Sequence, residues 1–163
     1  MQGNNYNDRS SYTGFRPQGG GSRSGGNNYN NNSKPTADAE FSNLPFNKDW
    51  IQNGADKKLV DYAEKAGKFM ASNGLTNSKI RSIYGEIKRI QMGEFEKEKS
   101  SFYLLKPKVA YALGRDDKNE GLKLFKKVFD IASDSVSDQK SYQNFCNFIE
   151  AILAYHKAFG GKD

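Results

Sequence analysis

The chain contains a single histidine, His156, and a single cysteine, Cys146. One cysteine cannot form a disulfide within its own chain. Ten positions apart on one helix, the two side chains would lie about 80° apart around the axis and about 15 Å apart along it. They therefore cannot share a metal ion or form a nucleophilic cysteine–histidine pair. We expect no metal, no cofactor, and a His156 that lies on a helix surface or contacts a partner.

Long apolar runs are also missing. No stretch of eighteen or more apolar residues is present to form a transmembrane helix, and the first residues do not include the apolar segment of a secretory signal. The phosphate-binding pattern GxxxxGK[ST], a GxGxxG after a strand, and the zinc-binding pattern HExxH are absent as well. These absences predict a cytoplasmic protein that is not an enzyme and does not contact a membrane.

Acidic residues offer only weak candidates for a catalytic or magnesium site. Asp116 and Asp117 lie in a predicted turn, and Asp130 and Asp134 have helical spacing. Carboxylates are common in turns and at helix ends, so ordinary surface positions are the favoured interpretation.

Strand patterns are missing, whereas helical ones are frequent. From residue 41 onwards apolar residues recur at spacings of three and four, which is typical of amphipathic helices. The pattern predicts an all-α fold, a compact bundle of about five helices in a domain spanning residues 41–163. The expected helices cover residues 55–73, 76–98, 101–113, 119–133 and 138–159, with Ser135 or Ser137 capping the last. Pro107 predicts either a kink in the third helix or a helix that begins near this proline.

Residues 1–40 differ in composition from the rest of the chain. Glycine, asparagine and serine dominate, so this segment has little apolar surface to bury, and we expect a disordered tail. Arg9, Arg16 and Arg23 alternate with aromatic residues, as in tails that associate with RNA. A solubilising extension is the favoured interpretation, because the tail contains four basic and three acidic residues and is therefore nearly neutral.

Trp50 is the only tryptophan and lies in a short apolar segment after the tail. Packing in the core is the favoured role, because the neighbouring residues are apolar. Stacking on a nucleobase is the alternative.

Basic residues exceed acidic ones, 25 against 19, for a net charge of +6. In the second predicted helix, isoleucines at helical spacing form a buried stripe, and the other side carries Arg81, Lys88 and Arg89. The next helix has a similar apolar face, with Lys106 on the opposite one. We interpret these two helices as a surface for an RNA backbone, although solvated helix faces are usually charged in any case.

Three blocks carry a resemblance to a known family: DYAEKAGKFM, LTNSKIRSIYGEIKRI and, most specifically, LLKPKVAYALGR. They resemble the small subunit (the Csm2 family) of type III-A CRISPR–Cas effector complexes, over roughly residues 59–159. The resemblance implies a small, all-helical, non-catalytic protein that stacks in a short filament. The partners it implies are other copies of itself, the backbone and large subunits of the Csm complex, the guide RNA and the target RNA.

The matched blocks also imply which residues contact RNA. The resemblance implies that the matching basic positions contact RNA: Lys79, Arg81, Arg89, Lys106, Lys108 and Arg115. The helix pattern adds Lys88. Because base pairing with the guide reads the sequence, such a subunit needs only backbone contacts. Two other hypotheses remain: a helical adaptor whose basic faces bind acidic proteins, and a free-standing single-stranded RNA-binding protein that uses its tail.

Overall fold

The computed structural model describes residues 34–161, and the expected disorder of the tail concerns residues almost entirely outside this range. The described part contains eight helices and no strand, which confirms the all-α prediction. None of these helices combines the length and apolar character needed to span a membrane. The helices are α1 (Ala37–Asn43), α2 (Asp49–Gln52), α3 (Lys57–Ser72), α4 (Asn77–Gln91), α5 (Phe95–Tyr103), α6 (Leu105–Gly114), α7 (Glu120–Ser133) and α8 (Gln139–Ala158).

Helix α8 lies at the centre of the fold. It packs most extensively along α3 and also contacts α2, α4, α5 and α7. Its inward-facing residues recur at helical spacing and are fully buried, so this one helix contributes to most of the core. These residues include Tyr142, Phe145, Phe148, Ile149 and Ile152.

Helices α3, α7 and α8 begin at side-chain caps. The carboxylate of Asp56 accepts a hydrogen bond from the Leu59 N–H at 2.8 Å, which satisfies a backbone donor at the start of α3. Asn119 caps α7 in the same way, and Asp138 forms a reciprocal capping box with Ser141 at the start of α8. The prediction that Ser135 or Ser137 caps the last helix is therefore wrong.

The predicted second helix is shorter than expected, because α4 ends at Gln91 and α5 starts only at Phe95. On a continuous helix Phe95 would lie about 140° from Ile90 and would leave the buried stripe. The break lets Phe95 turn inward, where its ring stacks on Tyr142 with centroids 4.9 Å apart.

The predicted third helix is divided at Leu104 into α5 and α6. Pro107 lies in the first turn of α6, where an N–H has no partner within the helix and its loss costs little. The alternative of a helix beginning near Pro107 is thus the correct one. These breaks, together with two short helices at the start of the described range, raise the number of helices from about five to eight.

The helical region starts earlier than the boundary predicted at residue 41. Helix α1 begins at Ala37, which is fully buried and whose N–H donates a 2.6 Å hydrogen bond to the Glu120 carboxylate on α7. Residues 37–40, assigned to the tail by composition, therefore belong to this helix.

Trp50 packs in the core, as favoured from the sequence. It is 3 % exposed and contacts the rings of Phe46, Tyr62 and Phe148 at centroid distances of 5.1 to 6.2 Å. This burial leaves no ring face open for a nucleobase.

Candidate nucleic-acid interface

Helix α4 carries most of the basic residues that the sequence associates with RNA. Ile80, Ile83, Ile87 and Ile90 are buried, as predicted, so the opposite side of α4 faces solvent. One groove runs along each flank of this exposed side, one between α4 and α6 and the other between α4 and α8. The basic residues are divided between these two flanks.

The α4–α6 groove has a volume of about 880 Å³. Lys79 from α4, Lys108 from α6 and Arg115 just after α6 all line it, together with the carboxylates of Glu86 and Asp116. Three cations against two carboxylates leave a small positive excess. The structure thus brings three of the seven predicted residues to one site.

Lys79 belongs to a hydrogen-bond network that joins α4 to the loop between α6 and α7. Its ammonium group donates to the carboxylate of Asp116. The amide of Asn119 donates to the same carboxylate at 3.0 Å and to the Gly74 carbonyl at 2.7 Å. The hydrogen bond from Lys79, and after it the one from Asn119, lowers the pKa of the Asp116 carboxyl. Lys79 therefore holds the start of α4 in place, and a phosphate there must compete with Asp116.

Arg89 and Lys108 share the carboxylate of Glu86. The Arg89 Nε donates to it at 3.2 Å, whereas the Lys108 Nζ lies 3.7 Å away. Arg89 also donates to both oxygens of Glu98, at 3.1 and 3.0 Å, and so ties α4 to α5. Lys108 has the weaker hold on its carboxylate and is the more available of the two cations.

The α4–α8 groove holds a different basic residue of α4. Arg81 lines it, and within residues 34–161 no carboxylate lies within ion-pair distance of its guanidinium. The nearby Lys88 donates to Glu150 on α8 at 3.2 Å, and this hydrogen bond raises the pKa of Lys88.

Lys106 lies apart from both grooves. Its ammonium group donates to Asp134, which follows α7, so this pair links α6 to α7. Arg81, Lys106 and Arg115 therefore lie on separate parts of the surface, because α6 and α8 pack on opposite flanks of α4 and α7 packs against α6.

Most of the predicted RNA-binding residues carry an acidic partner that is distant in sequence. Helical spacing reveals neighbours on one helix but not carboxylates delivered by another helix, so the sequence overstated the free positive charge. Arg115 is an exception like Arg81: within the described range it has no carboxylate partner, and its guanidinium carbon lies 5.9 Å from the centroid of the Tyr111 ring.

Tyr111 and Leu104 are exposed apolar residues that sequence reasoning did not assign to the site. Tyr111 is 69 % exposed and Leu104 is 59 % exposed, and both line the α4–α6 groove beside Pro107. The signal was present in α6, because its apolar residues occupy two faces of the helix rather than one.

Three of the four aspartates considered for catalysis pair with a lysine. Asp116 accepts from Lys79, Asp130 from Lys126 and Asp134 from Lys106. Across residues 34–161 no group of three or more histidine, cysteine, aspartate or glutamate residues is arranged to hold a metal ion.

The expectation that His156 lies on a surface is wrong. The residue is fully buried, and its Nε2 donates a 2.9 Å hydrogen bond to the Leu75 carbonyl before α4. Its ring packs against Gly161, where a Cβ atom would come within 2.2 Å of the imidazole. His156 thus joins the end of α8 to the turn between α3 and α4.

The comparisons with known proteins agree with the resemblance seen in the sequence. The family described as Csm2 Type III-A matches residues 54–162. A curated relative from Streptococcus thermophilus, named "CRISPR system Cms protein Csm2", is 29 % identical over 120 residues, which cover 66 % of this chain and 96 % of the relative. No solved structure matches the chain. The chain therefore belongs to the Csm2 family, the small subunit of the type III-A CRISPR Csm complex.

Proposed function

We propose that this chain is a non-catalytic subunit that contacts the guide RNA–target RNA of its complex through the basic surface around α4 and α6. The observation that carries the proposal is the α4–α6 groove, where Arg115 has no carboxylate partner in the described range and Lys108 is only weakly paired. Phosphate groups are among the ligands that such exposed guanidinium and ammonium groups bind.

The ion pairs of the remaining predicted residues are compatible with this role. Exposed salt bridges contribute little to stability, so Lys88 and Lys106 can exchange a carboxylate for a phosphate at small cost. Arg81 lies on the far flank of α4 and offers a second, separate contact. One subunit therefore makes few phosphate contacts.

We propose that stacked copies in a short filament, together with the backbone and large subunits, supply the remaining affinity through multivalency. The guide selects the target by base pairing, and the small subunit adds sequence-independent contacts. The role requires no cofactor, and its setting is the cytoplasm, in antiviral defence.

The test is a double charge reversal, Lys108→Glu with Arg115→Glu, in the assembled complex loaded with guide RNA. We expect weaker binding of target RNA at physiological salt. The slope of log K against log salt should fall by about 0.7 to 0.9 for each phosphate that the subunit no longer neutralises.

Lys57→Glu with Lys58→Glu is the matched control, because it changes the net charge equally. Both control lysines are exposed in the first turn of α3, where acidic side chains suit the helix dipole. The proposal is contradicted if the complex with Lys108→Glu and Arg115→Glu assembles normally and binds target RNA as tightly as the wild type. Loss of subunit assembly with no dependence on RNA supports the adaptor hypothesis instead.

A further inference from the structure

Helix α6 has an apolar face that the core does not cover. Leu105 and Val109 are fully buried on one side of the helix. Pro107 and Tyr111 of α6, together with Leu104 just before it, recur at spacings of three and four on another side; all three are exposed and line the α4–α6 groove. Exposed apolar side chains that cluster in a groove are typical of a contact site for a ligand.

Two cations, Arg115 and Lys108, border this second face. Arg115 lies one helical turn beyond Tyr111, with its guanidinium carbon 5.9 Å from the ring centroid. Lys108 borders the same groove; its side chain is half exposed, and its ammonium group lies 3.7 Å from the Glu86 carboxylate. Because Glu86 also accepts a hydrogen bond from Arg89, Lys108 does not have this carboxylate to itself. The groove thus offers a flat aromatic surface with positive charge at its edge.

A ligand that fits must combine a flat ring with a negative charge a short distance away. A nucleotide has both, since its base can stack on an aromatic side chain while its phosphate binds arginine or lysine. The groove volume of about 880 Å³ lies within the range of about 300 to 1,000 Å³ found for ligand sites. In a duplex the base faces are covered by their neighbours, so a stacking site of this kind suits an unpaired nucleotide.

We propose that the α4–α6 groove binds an unpaired nucleotide of single-stranded RNA, with the base stacked on Tyr111 and the phosphate held by Arg115 and Lys108. This inference rests on the proposed function and adds to it a preference for single-stranded over duplex RNA. Tyr111 acts here as a binding residue, in addition to the cations that contact the backbone.

The test measures binding of three labelled probes by the full-length chain at low salt, where phosphate contacts are strongest. The probes are a short single-stranded RNA, the same sequence as a duplex, and an abasic strand with the same number of phosphates. We expect Tyr111→Ala to weaken binding of the single strand by about 5-fold to about 100-fold. Tyr111→Phe, which keeps the ring, should bind like the wild type.

The controls separate stacking from charge. Tyr103→Ala removes an aromatic side chain that is 61 % exposed but does not line the groove, and it should leave binding unchanged. The abasic strand should bind equally to the wild type and to Tyr111→Ala, whereas Arg115→Ala should weaken both strands. Because Tyr111 is exposed, its replacement should not alter the melting temperature.

A second measurement uses the assembled complex with target RNA that carries 5-iodouridine, which crosslinks to stacked aromatic side chains. We expect a crosslink to the peptide that contains Tyr111.

Equal binding of the single strand by the wild type and Tyr111→Ala overturns the inference, as does a wild-type chain that fails to bind the single strand. If Lys108→Glu with Arg115→Glu still weakens target binding by the complex, the proposed function stands even though the stacking inference fails. Loss of subunit assembly in Tyr111→Ala assigns the groove to a protein partner and also overturns the inference.

Discussion

Gly67 lies at a close approach between α3 and α8, and its replacement by alanine provides a direct test of the fold. A Cβ atom at this position would lie 2.7 Å from the Ile152 carbonyl oxygen, 2.7 Å from the His156 nitrogen and 2.8 Å from the Tyr155 Cβ. Two of these atoms belong to the backbone of α8, so no side-chain rotation can relieve the contact. The two helices must move apart by several tenths of an ångström.

The expected loss in the free energy of unfolding follows from that separation. Inserting a methyl group into a packed interface costs about 1 to 3 kcal/mol, and we expect the upper end, because α8 also packs on several other helices. Alanine is favoured over glycine in a helix by about 1 kcal/mol, which offsets part of this cost. The net loss in the free energy of unfolding should therefore be about 2 kcal/mol.

Gly85→Ala is the matched control. Gly85 lies within α4 and is exposed, and a methyl group added there would have no neighbouring atom within 4 Å to resist it. The same helix-propensity gain applies without the packing cost, so this variant should be more stable than the wild type by up to about 1 kcal/mol.

Urea unfolding followed by far-ultraviolet circular dichroism measures both variants, and thermal melting should rank them in the same order. The difference between the two variants isolates the packing cost, because both gain the same helix propensity. If Gly67→Ala is as stable as Gly85→Ala, α3 and α8 do not pack as closely as the structure indicates.

Three further predictions concern buried or capping groups. Burial raises the pKa of the Cys146 thiol to about 11, so a thiol reagent at pH 8 should react with unfolded but not with folded protein; rapid reaction of the folded chain would contradict the burial. Tyr142→Phe removes the 2.9 Å hydrogen bond to the Ile87 carbonyl and should lower the free energy of unfolding by about 1 kcal/mol in urea titrations, a loss that is absent if this bond does not form. Hydrogen bonds from Ser141 lower the pKa of the Asp138 carboxyl, so the ionised carboxylate stabilises the folded state at neutral pH, and this stabilisation is lost as the pH falls through the lowered folded-state pKa. Asp138→Asn keeps a cap without the charge, so melting temperatures measured from neutral to acid pH should vary less than in the wild type.

Much of the fold follows from the sequence alone, because it depends on interactions between residues close in the chain. The spacing of Ile80, Ile83, Ile87 and Ile90 predicts the buried side of α4, which the structure confirms. Asp56 and Pro107 mark where α3 and α6 begin, since each acts on backbone groups within one turn. The family resemblance is likewise readable without coordinates, and the comparisons confirm the family.

Which charges are free and which side chains are covered depends instead on the packing of helices against one another. Asp116, Asp134 and Glu150 meet their lysines across 28 to 62 positions in sequence, a pairing that no helical pattern can reveal. The turn that brings Phe95 onto Tyr142 and the burial of His156 against Leu75 likewise depend on how α5 and α8 pack. Local spacing sets where each helix lies along the chain and which side is apolar, whereas the groove between α4 and α6 exists only because separate helices fold together.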